Sequence, residues 1–354
     1  MRVERGLLQK LSRYVHQAGA GDGRLFVVTS PEIWALWHPR FLTSFSKKQP
    51  TPTVLFLPPG ERYKRLSQIE RLSEELVRAG AQRDSLILAF GGGVVGDVAG
   101  FLAAIYMRGI PVVQIPTTYL AQIDSSIGGK TGVNLRTGKN LLGSFHHPAT
   151  VLVDPELLST LPPRELRAGI IESVKAAILG DAKLFAWIEE NADALLRGDI
   201  DALSHAIQAS IRIKAKIVSA DERESGQRML LNLGHTVGHA IESATQYRVL
   251  LHGEAVAWGM IAAIRLAVTR SALGIADAQR MERLIHRFGP LACFSATAKR
   301  LLHLTSADKK NRTGTRNFIL PVKIGKSIVV TDVTTEELFE AIGTLLQVVK
   351  ERGA

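Results

Sequence analysis

The first 115 residues alternate short apolar runs with stretches of helical periodicity, a pattern that few folds accept. Arg24–Thr29 (RLFVVT), Thr53–Leu57 (TVLFL), Ser85–Phe90 (SLILAF) and Pro111–Ile115 (PVVQI) have the length and β-rich composition of buried strands. Gln68–Ala79 carries Ile69, Leu72 and Leu76 at helical spacing, and Val94–Tyr106 is likewise helical. Strands that are apolar on both faces must be covered on both faces. Interleaved with helices, they predict an α/β domain on a mostly parallel sheet.

The pattern then changes twice. From Pro116 to Pro148 the chain is turn-rich, with five glycines and few apolar periods. A connection of that length inside a domain is usually functional. Beyond Asp154-Pro155 helices dominate: Leu166–Leu179, Ala182–Leu196, Ile200–Ala220, His235–Thr245, Gly253–Ser271 and Ala278–Phe288. Asn317–Pro321 and Ser327–Thr331 read as a small hairpin. At 354 residues the chain exceeds one typical core. We therefore expect an α/β domain over residues 1–157 and a mainly α-helical domain over 158–354, joined in the proline-punctuated stretch 155–162. No internal repeat is evident.

Composition narrows the partners. Cys293 is the only cysteine, which excludes an intramolecular disulfide and a thiolate-rich zinc knuckle and fits a reducing compartment. No apolar run reaches the ~18 residues of a membrane span. The first residues lack a signal-peptide core, so the expected setting is the cytoplasm, with no membrane partner. The formal charge is +11, from 44 Lys+Arg against 33 Asp+Glu. It is spread along the chain, without a basic tail or aromatic–basic interleaving, which argues against nucleic acid. Acidic lipid and a small anionic substrate are further uses for such a surplus.

Three stretches carry chemistry. Gly91-Gly92-Gly93-Val94-Val95-Gly96-Asp97 lies between a strand and a helix and satisfies G-x-G-x-x-G. Such glycines let backbone approach a pyrophosphate, whose charge meets the N–H groups opening the helix; they can equally serve close packing alone. The acidic residue usual ~20 positions later is missing, so nucleotide binding is expected without a standard dinucleotide fold. Next, Thr117-Thr118, Asp124 through Lys130, and Lys139-Asn140 gather hydroxyls, glycines and ammonium groups able to surround a phosphate, the alternative being a polar surface loop. Last, His235, His239 and His252 fall within one short stretch with Glu242 and Glu254, and Glu172 and Lys175 lie a helical turn apart upstream. Imidazole beside carboxylate suits a divalent metal, and catalytic zinc takes three protein ligands and keeps a position open. Spacing alone selects His235 and His239, four apart on one helix face, as the metal pair. Thr236 stands where zinc proteases carry glutamate, which disfavours protease chemistry.

GGGVVGD (91–97), YMRGI (106–110), PTTYLAQIDSSIGGKTGVN (116–134), GKN (138–140), LNLGHTVGHAIE (231–242) and LHGEAV (251–256) closely resemble, in order and spacing, the motifs of the 3-dehydroquinate synthase family. The likeness runs from Pro58 to Gly325. It implies an N-terminal NAD-binding α/β domain and a C-terminal, mainly helical metal-binding domain. It also implies conversion of 3-deoxy-D-arabino-heptulosonate 7-phosphate into 3-dehydroquinate and phosphate, a carbon–oxygen lyase reaction of the shikimate pathway. NAD would oxidise the substrate transiently; phosphate elimination, re-reduction, ring opening and an internal aldol closure follow. The implied cofactors are NAD and one divalent metal, zinc first and cobalt second, and the implied assembly is a homodimer.

Carried over motif by motif, the metal ligands are Glu172, His235 and His252, with His239 left as a substrate contact; this overrides the choice made from spacing. Catalytic roles fall on Lys130, Lys175, Lys214, Arg228, Asn232 and His239, and substrate contacts on Arg108, Asp124, Asn140 and Lys309. NAD contacts fall on Glu61, Lys64, Gly93, Val94, Val95, Gly96, Asp97, Thr117, Thr118, Lys130, Lys139, Leu157, Leu158, Ser159 and Thr160. Two departures stand out. The chain starts near the family's first helix without the usual opening strand, so a trimmed sheet edge is expected. Where the family has Thr-Asp-x-Asn-Val, this chain reads Thr29-Ser30-Pro31-Glu32-Ile33, which predicts weaker NAD binding unless Glu32 compensates. The rival readings are a sister sugar-phosphate cyclase and a metal-dependent polyol dehydrogenase. Lys214, Asn232 and His239 match the dehydroquinate pattern against the first, and the set of basic residues argues against the second.

Overall fold

The computed structural model describes residues 1–18, 23–45, 51–222, 226–306 and 317–353. The chain divides into two compact units, Met1–Pro162 and Pro163–Ala354. The 3-10 turn Pro155–Thr160 therefore stays whole in the first unit.

The first unit runs β1 (Arg2–Val3), α1 (Leu11–Gln17), β2 (Leu25–Thr29), α2 (Pro31–Thr43), β3 (Thr53–Phe56), α3 (Leu66–Arg78), β4 (Leu86–Gly91), α4 (Gly93–Ile105), β5 (Val112–Pro116), β6 (Lys130–Leu135), β7 (Gly138–Phe145) and β8 (Thr150–Val153). Six strands form one sheet in the order β1-β8-β5-β4-β2-β3, each neighbouring pair parallel. Alternate residues of the apolar runs supply opposite cores. Phe26, Val28, Ile87 and Ala89 pack with Ile69, Leu72, Val98 and Leu102 of α3 and α4. Val27, Leu86, Leu88 and Phe90 pack with Leu11, Trp37 and Phe41 of α1 and α2. Both faces are dry, which is why these strands read as continuous apolar runs.

Three parts of this unit differ from expectation. At the sheet edge the chain forms a short strand that the sequence did not signal: Arg2 and Val3 pair in parallel with Leu152 and Val153. A two-residue strand is too short to leave a periodic signal. It is anchored by Asp154, whose buried carboxylate accepts from the N–H groups of Gly6 (3.1 Å) and Leu8 (3.0 Å). The turn-rich stretch contains an antiparallel hairpin, β6–β7, with Lys130 opposite Phe145 and Val133 opposite Leu142. Its glycines and lysines carry almost no strand propensity. Helix α2 is masked in the sequence by Pro39 inside it, yet it starts on a clear signal: Ser30 is the N-cap, Pro31 follows, and Ser30 Oγ accepts from Ile33 N at 3.4 Å.

The second unit contains α5 (Pro163–Gly180), α6 (Ala182–Glu190), α7 (Ala192–Leu196), α8 (Ile200–Ala220), α9 (His235–Ala244), α10 (His252–Thr269), α11 (Ile275–Arg287), α12 (Ala298–Ser306), β9 (Phe318–Lys323), β10 (Lys326–Val330) and α13 (Thr335–Gly353). β9 and β10 form the expected hairpin. The single helix expected over Ala182–Leu196 is broken at Asn191, whose Nδ2 donates to Trp187 O at 2.9 Å, a local bond that competes with helix continuation. Helix α10 is buried along most of its length and packs on α5, α9, α11 and α13.

Two glycines make that packing possible. A Cβ on Gly253 would lie 1.9 Å from Ala168 O of α5, and one on Gly259 would lie 1.8 Å from Gly234 O at the start of α9. Both obstacles are backbone and cannot swing aside. Gly259→Ala is therefore expected to destabilise the protein in urea unfolding by at least the ~1–3 kcal/mol of an overpacked core. Gly343→Ala, whose Cβ meets nothing within 4 Å, should instead stabilise by roughly 0.5–1 kcal/mol. Equal effects of the two substitutions would contradict this packing.

Candidate active site

The second unit brings acidic and imidazole groups together from three helices. Glu172 and Lys175 lie one turn apart on α5, both buried and ion-paired to each other. His235 opens α9, with His239 and Glu242 following on the same face, and His252 opens α10. One ligand atom each from Glu172, His235 and His252 falls within a 4.8 Å set; His239, Glu242 and His252 form a second such group. His252 Nε2 lies 3.8 Å from Glu172 Oε1, and its Nδ1 lies 3.5 Å from Glu242 Oε2. His235 Nδ1 is 3.1 Å from Leu233 O. With Nδ1 donating there, Nε2 keeps its lone pair.

These residues fit a divalent cation. Among the described residues, neither oxygen of the buried Glu172 carboxylate has a hydrogen-bond partner, although Lys175 pairs with its charge. A buried carboxylate left in that state is costly. One carboxylate with two imidazoles is a donor set that zinc or cobalt accepts. Burial, and then the charges of Lys175, His252 and His239, hold the His235 imidazole well below its ordinary range, so it stays neutral and able to coordinate. Burial pushes His252 down too, but the Glu242 hydrogen bond and the charges of Glu242 and Glu172 outweigh it and the net shift is upward.

Of the cationic residues named from sequence, Lys175, Lys214 and Arg228 lie in this unit, and Lys175 touches the cluster through Glu172. The turn Gln227–Asn232 packs on α5 and α8, which carries Lys214. Lys175, Lys214 and Arg228 are all buried. The Arg228 guanidinium donates to Glu222 O, and its backbone N–H donates to Asp221 Oδ2 at 2.9 Å. Asn232 and His239 are half-buried. Lys309 lies outside the described residues.

In the first unit, α4 opens directly after β4 with no side-chain cap. The N–H groups of Gly93, Val94 and Val95 thus have no partner within the helix, the usual condition for holding a phosphate. Packing explains part of the glycine motif as well: a Cβ on Gly96 would meet Gln114 Oε1 at 2.8 Å. Lys64 is buried, ion-paired with Asp97, and donates to Asn140 Oδ1 at 2.5 Å. Asn134, which sequence reasoning missed, completes the network. Its Nδ2 donates to Glu61 Oε1 (2.7 Å) and its Oδ1 accepts from Asn140 N (2.9 Å). Asn140 holds a left-handed backbone, φ 52°, that asparagine tolerates. The only advance signal for Asn134 was its place at the end of GGKTGVN.

The remaining residues are less uniform. Thr117 Oγ1 is buried without a partner among the described residues, while Thr118 Oγ1 accepts from Ala121 N at 3.2 Å. Asp124 sits in the π-helical turn Ala121–Ser125, and Lys130 and Lys139 sit on the β6–β7 hairpin. Leu157 belongs to a core and Leu158 is buried. Ser159 Oγ donates to Glu156 O (2.8 Å), and Thr160 Oγ1 accepts from Trp37 Nε1 (3.1 Å). Arg108 does not join the glycine-rich loop: it is exposed beyond the far end of the 13-residue α4, a separation of about 20 Å at 1.5 Å per residue. Ser30 is committed to capping α2, and Glu32 is exposed in the first turn.

A glycine-rich strand–helix loop in one unit and a carboxylate–imidazole cluster in the other define a nucleotide- and metal-handling enzyme. Comparison makes the class specific. The family models for the N-terminal and C-terminal parts of 3-dehydroquinate synthase match residues 54–168 and 169–311. The 3-dehydroquinate synthase of Solibacter usitatus (strain Ellin6076) is 46% identical over 97% of this chain and 95% of its own length. That of Pelotomaculum thermopropionicum is 41% identical over 99% and 94%. Among solved structures, 2-epi-5-epi-valiolone synthase from Streptomyces hygroscopicus subsp. jinggangensis 5008, with NAD+ and Zn2+ bound, superposes with a TM-score of 0.87 at 30% identity, covering 98% of this chain and 96% of that one. A 2-deoxy-scyllo-inosose synthase complexed with carbaglucose-6-phosphate, NAD+ and Co2+ gives 0.85 at 28%, covering 96% and 95%. The glycerol dehydrogenase of Schizosaccharomyces pombe, at 16% identity and a TM-score of 0.71 over 99% and 89%, shares the fold alone. The chain belongs to the 3-dehydroquinate synthase family.

The two overlapping groups can be told apart by substitution. Glu172→Gln, His235→Ala and His252→Ala are each expected to lose stoichiometric metal, and His239→Ala to keep it. Elemental analysis of the purified variants reads this directly, and metal lost from the His239 variant but kept in the Glu172 variant would place the ion in the other group.

Proposed function

We propose that this chain is a cytoplasmic 3-dehydroquinate synthase, a carbon–oxygen lyase of the shikimate pathway that acts as a homodimer on 3-deoxy-D-arabino-heptulosonate 7-phosphate. The observation that carries the proposal is the cluster itself: one ligand atom each from the buried Glu172 and from His235 and His252 within 4.8 Å, with the buried Lys175 paired to Glu172. Lys175, Lys214 and Arg228 are buried in the same unit and carry positive charge, which favours an anionic ligand. A substrate with a phosphate and a carboxylate matches that charge, and a neutral polyol does not.

Bound at Glu172, His235 and His252, a divalent cation would supply Lewis acidity toward a substrate hydroxyl, and NAD would take up and return a hydride. The chain's own residues do the rest. The free N–H groups of Gly93, Val94 and Val95 receive the NAD pyrophosphate. Asp97 and Asn140 fix the Lys64 ammonium, and Asn134 fixes Glu61 and the Asn140 backbone, so the residues of this wall hold one another in place. Thr117 offers an unused hydroxyl to it. Lys175 sits against Glu172 and offers its remaining N–H groups to a substrate oxygen. In the second unit Lys214 and Arg228 are the residues for the substrate's anionic groups, with Asn232 as a neutral orienting partner; for Lys130, Asp124 and Asn140 of the first unit, the substrate role rests on the family resemblance. His239, facing His235 and His252 with ring centroids 5.3 and 5.9 Å away, can hold or pass a proton at its imidazole. Holding the substrate in one pose removes much of the entropic part of the barrier.

Incubation of the metal-loaded protein with the heptulosonate phosphate and substoichiometric NAD should release one phosphate per dehydroquinate, with no net NADH. Net NADH from a simple polyol without phosphate release would favour the dehydrogenase reading. Lys175→Ala and Arg228→Ala should each lower kcat/KM at least roughly tenfold, about 1.4 kcal/mol of transition-state stabilisation. Unchanged kinetics in both would remove the anion-binding role from this region.

A further inference from the structure

Glu242 is the second carboxylate facing His252, and the function described so far does not use it. It lies on α9, on the face of His235 and His239, and is 5% exposed. Its Oε2 is 3.5 Å from His252 Nδ1, while His252 Nε2, on the opposite side of the ring, faces Glu172 Oε1 at 3.8 Å. One imidazole is therefore shared by two donor groups, Glu172/His235/His252 and His239/Glu242/His252. A neutral imidazole offers a lone pair from one nitrogen only while the other carries the proton. The two groups thus compete for one tautomer of one ring.

We infer that Glu242 is a positioning residue: it accepts the Nδ1–H of His252 and turns the Nε2 lone pair toward Glu172 and His235. His235 is oriented in the same way by a neutral acceptor, Leu233 O, at 3.1 Å. The charged acceptor on His252 makes that ring the stronger donor of the pair, as carboxylate–imidazole–metal arrangements do generally. It also commits the cation to one group, because with Nδ1 protonated His252 has nothing to offer on the His239 side. The contact spans α9 and α10, which Gly259 lets approach at the backbone, so the ring is held from outside its own helix.

The inference rests on the metal reading, and full-length protein tests both separately. Zn2+ affinity by chelator competition, metal stoichiometry and the visible spectrum of the Co2+-loaded protein are read for the parent, Glu242→Gln, Glu242→Ala and Glu242→Asp. The Glu242→Gln substitution keeps the side chain's shape and removes its charge. That variant is expected to bind Zn2+ about 10- to 100-fold more weakly, with one site retained, an altered Co2+ spectrum and an unchanged metal-free melting temperature. Glu242→Asp should recover part of the loss. If Glu242→Ala fails to fold, Glu242→Gln still decides. Zn2+ affinity in Glu242→Gln within about twofold of the parent overturns the inference, as does a parent binding two ions per chain that falls to one on substitution. A parent that binds no Zn2+ overturns the metal reading and this inference with it.

Discussion

Helix α10 comes closer to its neighbours than any side chain permits, and the metal cluster depends on that approach. Gly253 lies against Ala168 O of α5 and Gly259 against Gly234 O at the head of α9. The first contact sets His252 over Glu172, four residues along α5 from Ala168, and the second sets the whole of α10 against the helix that carries His235, His239 and Glu242. The motifs on these helices are therefore mixtures of roles. In Leu251-His-Gly-Glu254 the histidine faces the cluster and the glycine makes the contact. The glutamate accepts from Leu251 N at 2.9 Å and pairs with Arg164 at 2.7 Å, closing the start of the helix.

Charge follows from the same geometry. Burying Glu172 next to Lys175 and the imidazoles concentrates opposite charges where water is scarce, and such groups act strongly on one another and on anything that enters. The first unit uses the same device in its Lys64–Asp97–Asn140–Asn134–Glu61 network, where a buried ammonium is fixed by several acceptors at once. In both units the polar groups hold one another in place, and fixed groups of this kind are what catalysis by positioning requires.

The parallel sheet was readable from the apolar runs because both of its faces are buried, and the helical half from 3.6-residue periodicity. Elements too short or too polar to show a period were not: β1 has two residues, and the β6–β7 hairpin is held by backbone pairing, by Thr131 Oγ1 donating to Ser144 O and by the lone apolar pair Val133 and Leu142 packed on the core, too little to mark a face. The site divides along a similar line. His235 and Glu172 could be nominated by chemistry and spacing, but His252 comes from the next helix, and helical spacing preferred His239. Asn134 and Glu242 act on other side chains, one across a hairpin and one across a helix pair, and a linear pattern carries no trace of such contacts. Ser30 shows the reverse case, a departure from the family motif whose local role, capping α2, is plain once the helix is seen.

The central claim is that Glu172, His235 and His252 hold the metal and that the second group does not. An anomalous difference map at the zinc edge, from crystals of the zinc-loaded protein, tests it most directly. The account predicts one peak, about 2.0–2.2 Å from a nitrogen of His235, a nitrogen of His252 and an oxygen of Glu172, with Glu242 outside bonding range. A peak coordinated by His239 and Glu242 would contradict it.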